Sequence, residues 1–450
     1  MATTYDLIVL GAGSGARDGA GKAAREHGAQ VALVESTRWG GSCPNVACRP
    51  TKAYLVAAEL MHETRQHAAE RGIDLPPPRI DLMRTRAWKN SLRRDQASWV
   101  QVLTEAGYGI YPGEAAFVDA HTVRVEGVEL AADRVLIATG SRTAVPPIPG
   151  IETIDWIDHV SALELTEVPE SLLVVGAGPV GLELAQIFAR FGSRVAVVNH
   201  GPQIAARADA DAAAALQAAL EDEDIEIVLG AGVDSFTRNG RHVDAVVGGR
   251  TLTVSHVLLA SGRAPNVEAL NLDDIGVEAT RSGIVVDQRQ RTSVSGIWAA
   301  GDVAAGPMLT PTAQYQARLA VDDMFGDGAR SADYSALPTA IFTDPELGGI
   351  GLTEAEAREQ GLDFGVATHP LSAVTRAQYT GAKHGLFKLV YDHATRRLLG
   401  VHVVSRGASD IVGGLAVAFA LGATVDDVAQ IHHVYPSYSE GLKAAAEQTH

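Results

Sequence analysis

Two stretches of the chain repeat one order of apolar and polar positions. In "YDLIVLGAGSGARDGAGKAAREHGAQVALVE" an apolar run leads into a glycine turn, an Ala-rich stretch with helical spacing and a second apolar run. "SLLVVGAGPVGLELAQIFARFGSRVAVVNH" sets out the same order again. Short continuous apolar runs bounded by glycine read as buried parallel strands, and the spaced apolar positions between them read as a helix. Each stretch is therefore predicted to be a βαβ unit whose glycine turn sets a helix N-terminus against a pyrophosphate. One such motif is weak evidence. Two, each between a strand and an amphipathic helix, predict a chain that binds two dinucleotides.

The copies differ where nucleotide selectivity is set. In the first, Gly11 and Gly13 permit the tight turn and close backbone approach, Ala16 takes the third small position, and Glu35 closes the second strand. A carboxylate there can accept hydrogen bonds from ribose hydroxyls. In the second, Gly176, Gly178 and Gly181 fill the pattern, but the strand ends at Asn199 followed by His200. A 2′-phosphate would be repelled by a carboxylate and not by this pair, so NADPH is expected ahead of NADH.

The remaining pattern divides the chain. "DRVLIATGSRTAVPPIPG" is a strand with a proline-rich exit, which predicts a crossover near residue 150, and "HVLLASGRAPN" echoes it at the end of the second unit. "VSGIWAAGDVAAG" is another strand, delivering Gly301 and Asp302. From about residue 335 onward, "PTAIFTDPELGGIGLT", "GLFKLVYD" and "LLGVHVVS" alternate like antiparallel strands, while "SDIVGGLAVAFALGA" reads as a helix. The predicted fold class is α/β: two Rossmann-like dinucleotide-binding domains, 1–150 and 151–281, a central segment 282–335, and a C-terminal α+β domain, 336–450.

Composition narrows the class of function. A chain of 450 residues is too long for one core at roughly 100–200 residues per domain. With 46% hydrophobic and 20% charged residues it reads as soluble and globular. Its net charge of −17 disfavours nucleic acid and anionic membranes. The opening "MATTYDLIVLGAGSG" lacks a basic leader and a cleavage site and reads as a first strand. No apolar run approaches the roughly 20 residues of a membrane span. A cytoplasmic protein without nucleic-acid or membrane partners is expected.

The chain's two cysteines, Cys43 and Cys48, share the segment "GGSCPNVACRPTK". Structural disulfides are uncommon in a reducing compartment, and one staple adds little to so large a core. Zinc needs four ligands, and neither His27 nor His62 stands at zinc-like spacing to the pair, so no metal site is expected. Inert thiols and a redox pair both remain open on these grounds. A thiolate is the reactive species, favoured at a helix N-terminus and near positive charge. Both cysteines are expected to open a helix, with Lys52 on the face of Cys48.

The order of first glycine loop, "GGSCPNVACRPTK", "IATGSR", second glycine loop, "ASGRAPN", "AAGDV" and "FTDPELGGIGLT" resembles the FAD-dependent pyridine nucleotide-disulfide oxidoreductases. That family includes lipoamide dehydrogenases, glutathione reductases and mercuric reductases. The resemblance implies FAD on the first unit, held by Gly11, Gly13, Gly15, Ala16, Glu35, Gly41, Ser42, Lys52, Thr139, Gly140 and Asp302. It implies NAD(P)H on the second, held by Gly176, Gly178, Gly181, Asn199, His200 and Gly262, and a homodimer formed by the C-terminal domain. By family position Cys43 is the interchange thiol and Cys48 the thiol against the flavin, joined as a redox disulfide. Lys52 pairs with Glu183 to tune the flavin, and Asp302 bonds its ribityl chain. Hydride would pass from nicotinamide to flavin, and electrons onward through Cys48 to Cys43.

Family disulfide reductases end in a His-Pro-Thr motif whose histidine acts across the dimer as acid and base, oriented by a glutamate. Here "HHVYPSYSEGLK" keeps Pro436 and Glu440 but sets Tyr435 in the histidine position. A tyrosine with its ordinary pKa of about 10 is a poor base at neutral pH. His433 could substitute, since residues two apart on an extended strand face one side. The texture is most similar to mercuric reductases, yet no cysteine follows Cys48 to form the second pair those enzymes use. The expected function is reduction of a small acceptor: an unusual disulfide, a soft metal ion such as Hg(II), or a quinone. Dithiol oxidation in the reverse direction and a non-catalytic flavin redox sensor are the alternatives.

Overall fold

The computed structural model describes residues 2–449. The chain forms two compact units, one of residues through Pro50, Trp88–Ala144 and Gly262–Asp333, the other of Thr51–Ala87, Val145–Ser261 and the chain from Tyr334 onward.

In the first unit the apolar runs form a five-stranded parallel sheet in the order Ile297–Ala299, Val135–Ile137, Leu7–Leu10, Val31–Glu35, Gly109–Pro112. Every residue of Leu7–Leu10 is buried, because the sheet is covered on both faces. Val9, Leu33 and Leu136 pack on one face with the helix Ser14–His27 and with Ala317 and Val321 of the helix Thr310–Phe325. Gly15 permits that helix contact, since a Cβ there would stand 2.7 Å from the Ala313 carbonyl oxygen. Ile8, Leu10 and Val135 pack on the other face with Phe117, Val123 and Leu130, which belong to a smaller four-stranded sheet.

The second unit repeats the parallel sheet in the order Trp156–Ile157, His256–Leu259, Ser171–Val175, Arg194–Asn199, Glu226–Leu229. It carries the helix Pro179–Phe191 and a three-stranded antiparallel sheet spanning Val233–Asn239, His242–Val247 and Arg250–Val254. After Tyr334 the predicted change of texture is an antiparallel sheet in the order Thr339–Ile341, Glu346–Gly351, Leu398–Ser405, Leu386–Asp392, Phe364–Pro370. The helices Ala408–Ala420 and Glu440–Glu447 pack against it. No helix among the described residues is long and apolar enough to cross a membrane.

Candidate functional site

The two glycine turns are built alike. Gly11 has φ 113°, and a Cβ there would stand 2.3 Å from the Ala138 carbonyl oxygen; Gly176 has φ 109°, with the Ala260 carbonyl oxygen 2.4 Å from the same point. Only glycine fits either position. The helices that follow begin at Gly13 and Gly178 without a side-chain cap. Elsewhere Asp95, Asp158, Asp209, Thr353 and Thr424 cap their helices. Uncapped N–H groups at a glycine-lined helix start leave donors for phosphate oxygens, so both loops fit a dinucleotide pyrophosphate. Gly15 and Ala16 are buried behind the first loop, and a Cβ on Gly181 would lie 2.1 Å from the Gly176 carbonyl oxygen.

Glu35 and Asn199 end equivalent strands and hold equivalent loop amides. Glu35 accepts from Ala12 N at 2.9 Å, Thr37 N at 2.8 Å and Arg38 N at 3.0 Å. Asn199 accepts from Ala177 N at 3.4 Å and donates to the Gln203 carbonyl at 3.0 Å. The second loop therefore carries no acidic group where the first does, and His200 beside it is exposed.

In the first unit the cysteine segment lies on the glycine loop. Gly41 has φ 76°, and a Cβ there would stand 2.4 Å from Gly13 Cα. Instead of opening one helix together, the cysteines divide between two. Cys43 lies in the short helix Ser42–Asn45, and Cys48 is the first residue of the helix Cys48–Gln66. Asn45 explains the break: its amide donates to the Trp39 carbonyl at 3.0 Å and the Gly41 carbonyl at 2.7 Å, while Arg93 donates to the Asn45 carbonyl at 2.9 Å. Cys43 is half-buried and Cys48 exposed. Cys48 Sγ lies 3.9 Å from Thr310 Oγ1, at the start of the helix Thr310–Phe325. Nothing in the local spacing signals the Thr310 contact, although Pro311 marks that helix start.

Asp302 follows Gly301, whose φ is 80°. Its carboxylate accepts from Ser141 Oγ at 2.7 Å, and Arg263 donates to that same oxygen at 2.6 Å. Thr139 Oγ1 donates to the Asn266 carbonyl at 2.7 Å, tying "TGSR" to "GRAPN", and Gly140 (φ 72°) and Gly262 (φ 127°) make the adjoining turns. In the second unit Lys52 Nζ donates to Glu183 Oε2 at 2.6 Å. Glu183 is buried in the helix Pro179–Phe191, and its other oxygen accepts from Phe342 N at 3.1 Å. The ammonium also lies 4.4 Å from the centre of the Phe342 ring, a cation–π contact that sequence spacing did not signal.

The C-terminal residues surround a cavity of about 550 Å³ lined by His369, His432, His433, Tyr435, Glu440 and Lys443. Tyr435 is 73% exposed. His433 turns Nε2 to the Val428 carbonyl at 3.3 Å. Glu440 Oε1 is buried without a hydrogen-bond partner among the described residues.

Comparisons with known proteins agree with this geometry. The family model described as pyridine nucleotide-disulphide oxidoreductase matches residues 5–317, and that of the family's dimerisation domain matches residues 337–446. A mercuric reductase of Lysinibacillus sphaericus is 34% identical over 449 residues, covering 98% of this chain and 82% of the relative. A dihydrolipoyl dehydrogenase of Thermus scotoductus is 37% identical over 458 residues, covering 99% and 98%. Among solved structures, the Cu(II) complex of the HOCl-induced flavoprotein disulfide reductase RclA from Escherichia coli superposes with a TM-score of 0.89 at 29% identity, each chain fully covered.

Proposed function

Since the chain belongs to the pyridine nucleotide-disulphide oxidoreductases, we propose that it is a homodimeric cytoplasmic flavoprotein passing electrons from NADPH through Cys43 and Cys48 to a soft metal ion. The observation that carries the choice of acceptor is Tyr435. Reducing a disulfide to two thiols delivers two protons with two electrons, and the family's histidine handles that traffic. A metal ion takes electrons alone, and a site with tyrosine in the histidine's place, beside an unpartnered Glu440 oxygen, suits it better. The names of two relatives, a mercuric reductase and a protein solved as a Cu(II) complex, support the same class.

FAD, when bound, supplies the two-electron step between nicotinamide and sulfur. The residues serve it in distinct ways. The uncapped helix start at Gly13 would receive its pyrophosphate, with Gly41 and Ser42 alongside, and Glu35 would meet its ribose. Asp302, aimed by Ser141 and Arg263, would orient the ribityl chain, and Thr139 and Gly140 would fix the backbone nearby. Lys52, held by Glu183 and Phe342, would supply positive charge. Gly176, Gly178 and Gly181 would hold the second pyrophosphate, and Asn199 and His200 would admit a 2′-phosphate. Opening the Cys43–Cys48 bond takes up two electrons. Closing it again releases two, enough for one Hg(II) to Hg(0) or two Cu(II) to two Cu(I).

NADPH oxidation measured with Hg(II), Cu(II), disulfides and quinones tests this reading. Metal-dependent turnover at the stated stoichiometry, lost in Cys43→Ser, is expected. Dithiol oxidation with NAD(P)+ is the second reading, favoured by the similarity to a dihydrolipoyl dehydrogenase. Rapid dithiol oxidation with no metal-dependent NADPH consumption would establish it instead. A flavin that stays oxidised under anaerobic NADPH would leave the redox-sensor reading.

A further inference from the structure

One charged group beside the cysteine segment has no part in the function proposed above. Arg17 lies in the first turn after Gly13, and its guanidinium stands 4.5 Å from the centre of the Trp99 ring. Arg94 stands 4.9 Å from the same ring. Trp99 packs on the cysteine segment, because a Cβ on Gly40 would lie 2.5 Å from its indole. Gly41, the next residue, packs on Gly13. Arg17, Trp99 and the turn that carries Cys43 thus form one packed group. Arg17 Nε and Trp99 Nε1 are both buried without a hydrogen-bond partner among the described residues. Arg17 is half-buried with its Nε shut away from solvent, so its charge is screened less than that of a fully solvated guanidinium.

We propose that Arg17, held against Trp99, is a positioning residue that keeps Cys43 as a thiolate at neutral pH, so that the interchange thiol needs no base. This rests on the reading of Cys43 as the interchange thiol, and it answers the difficulty posed by Tyr435. In a family whose base is a histidine, this chain would replace proton abstraction with a fixed positive charge. Electrostatics agree in direction: burial lowers the Arg17 pKa below its ordinary value, and the attraction of Cys43 opposes that shift. The attraction is mutual, and favours the ionised thiol as much as the guanidinium. The other charges nearby leave this balance positive. Asp18 accepts from Arg318 at 3.0 Å, Arg93 is turned to the Asn45 carbonyl, Arg94 shares the indole, and Arg49 is exposed.

The test is the pH profile of iodoacetamide alkylation at Cys43, followed by mass spectrometry on flavin-loaded protein reduced with dithiothreitol. In Arg17→Met the midpoint should rise by about one pH unit, the lower end of the effect of an adjacent opposite charge. Arg17→Lys, which keeps the charge, should restore most of the shift. If Arg17→Met does not fold, Arg17→Gln, which keeps a polar group on the indole, is read in the same way. A midpoint unchanged in a folded, charge-removed variant overturns the proposal, as does a shift that Arg17→Lys fails to rescue. Reduction with NADPH in place of dithiothreitol separates the two readings. Failure of NADPH to expose Cys43 to alkylation defeats the electron route, whereas the dithiothreitol profile judges Arg17 regardless.

Discussion

Asn199 and Glu35 occupy equivalent strand ends and hold equivalent loop amides, so at this position the two glycine loops differ by one carboxylate. Asn199→Glu keeps an acceptor for Ala177 N and adds the charge that would repel a 2′-phosphate. The ratio of kcat/KM for NADPH to that for NADH should fall by about tenfold or more, the change made by ~1.4 kcal/mol. A ratio unmoved by the substitution would place 2′-phosphate selection elsewhere. This pair was legible in the sequence because the glycine motif fixes the distance along the chain to the strand end. Thr310, Trp99 and Phe342 were not. Each reaches its partner from a remote segment, Thr310 to Cys48, Trp99 to Gly40 and Phe342 to Glu183, and nothing in local periodicity records such a meeting.

At the scale of elements, the strand Leu386–Asp392 departs from the alternation that "GLFKLVYD" suggests. Six of its seven residues are buried, Lys388 among them. The strand can hold a lysine there because Nζ donates to Asp211 at 2.7 Å, Glu354 at 2.8 Å and Asp209 at 2.9 Å. Burial works against the ammonium, but these carboxylates outweigh it and hold its pKa above the ordinary value. Lys388→Met would leave Asp209 buried and unpaired, a loss of about 3–5 kcal/mol, read as a lower denaturant midpoint. Adding Asp209→Asn should recover part of it. A second junction makes acid sensitivity local. Burial disfavours ionised Glu63, yet Arg406 and Arg71 bring its pKa down to about 2. A carboxyl whose folded pKa lies below its unfolded value stabilises the fold above the unfolded pKa, and that stabilisation fades as pH falls through the folded one. Glu63→Gln should therefore flatten the loss of thermal midpoint between pH 4.5 and about 2. The strands and helices themselves were legible from apolar spacing; the ion clusters were not, because their members come from separate segments.

The whole molecule shows apolar surface where its C-terminal segment matches the family's dimerisation domain, residues 337–446. Leu421 is 80% exposed, Val434 76% and Val417 66%. Another group of exposed apolar side chains lies between Val56 and Leu92, but this one falls within the match to the dimerisation domain, and apolar side chains exposed close together mark association surfaces. The segment "SDIVGGLAVAFALGA" reads as a helix in the sequence, but its apolar residues run past the stripe that one core needs. The excess is explained if a second copy of the chain covers it. Leu421→Glu places a charge in that surface and should shift the protein from dimer to monomer in sedimentation, since burying an unpaired carboxylate is costly. The same variant decides whether the acceptor site depends on the partner. If Tyr435 and Glu440 of one chain complete the surroundings of Cys43 in the other, monomeric Leu421→Glu should still reduce its flavin with NADPH but lose turnover of the metal acceptor. Retention of full metal-dependent turnover by a monomer would place the acceptor site within one chain.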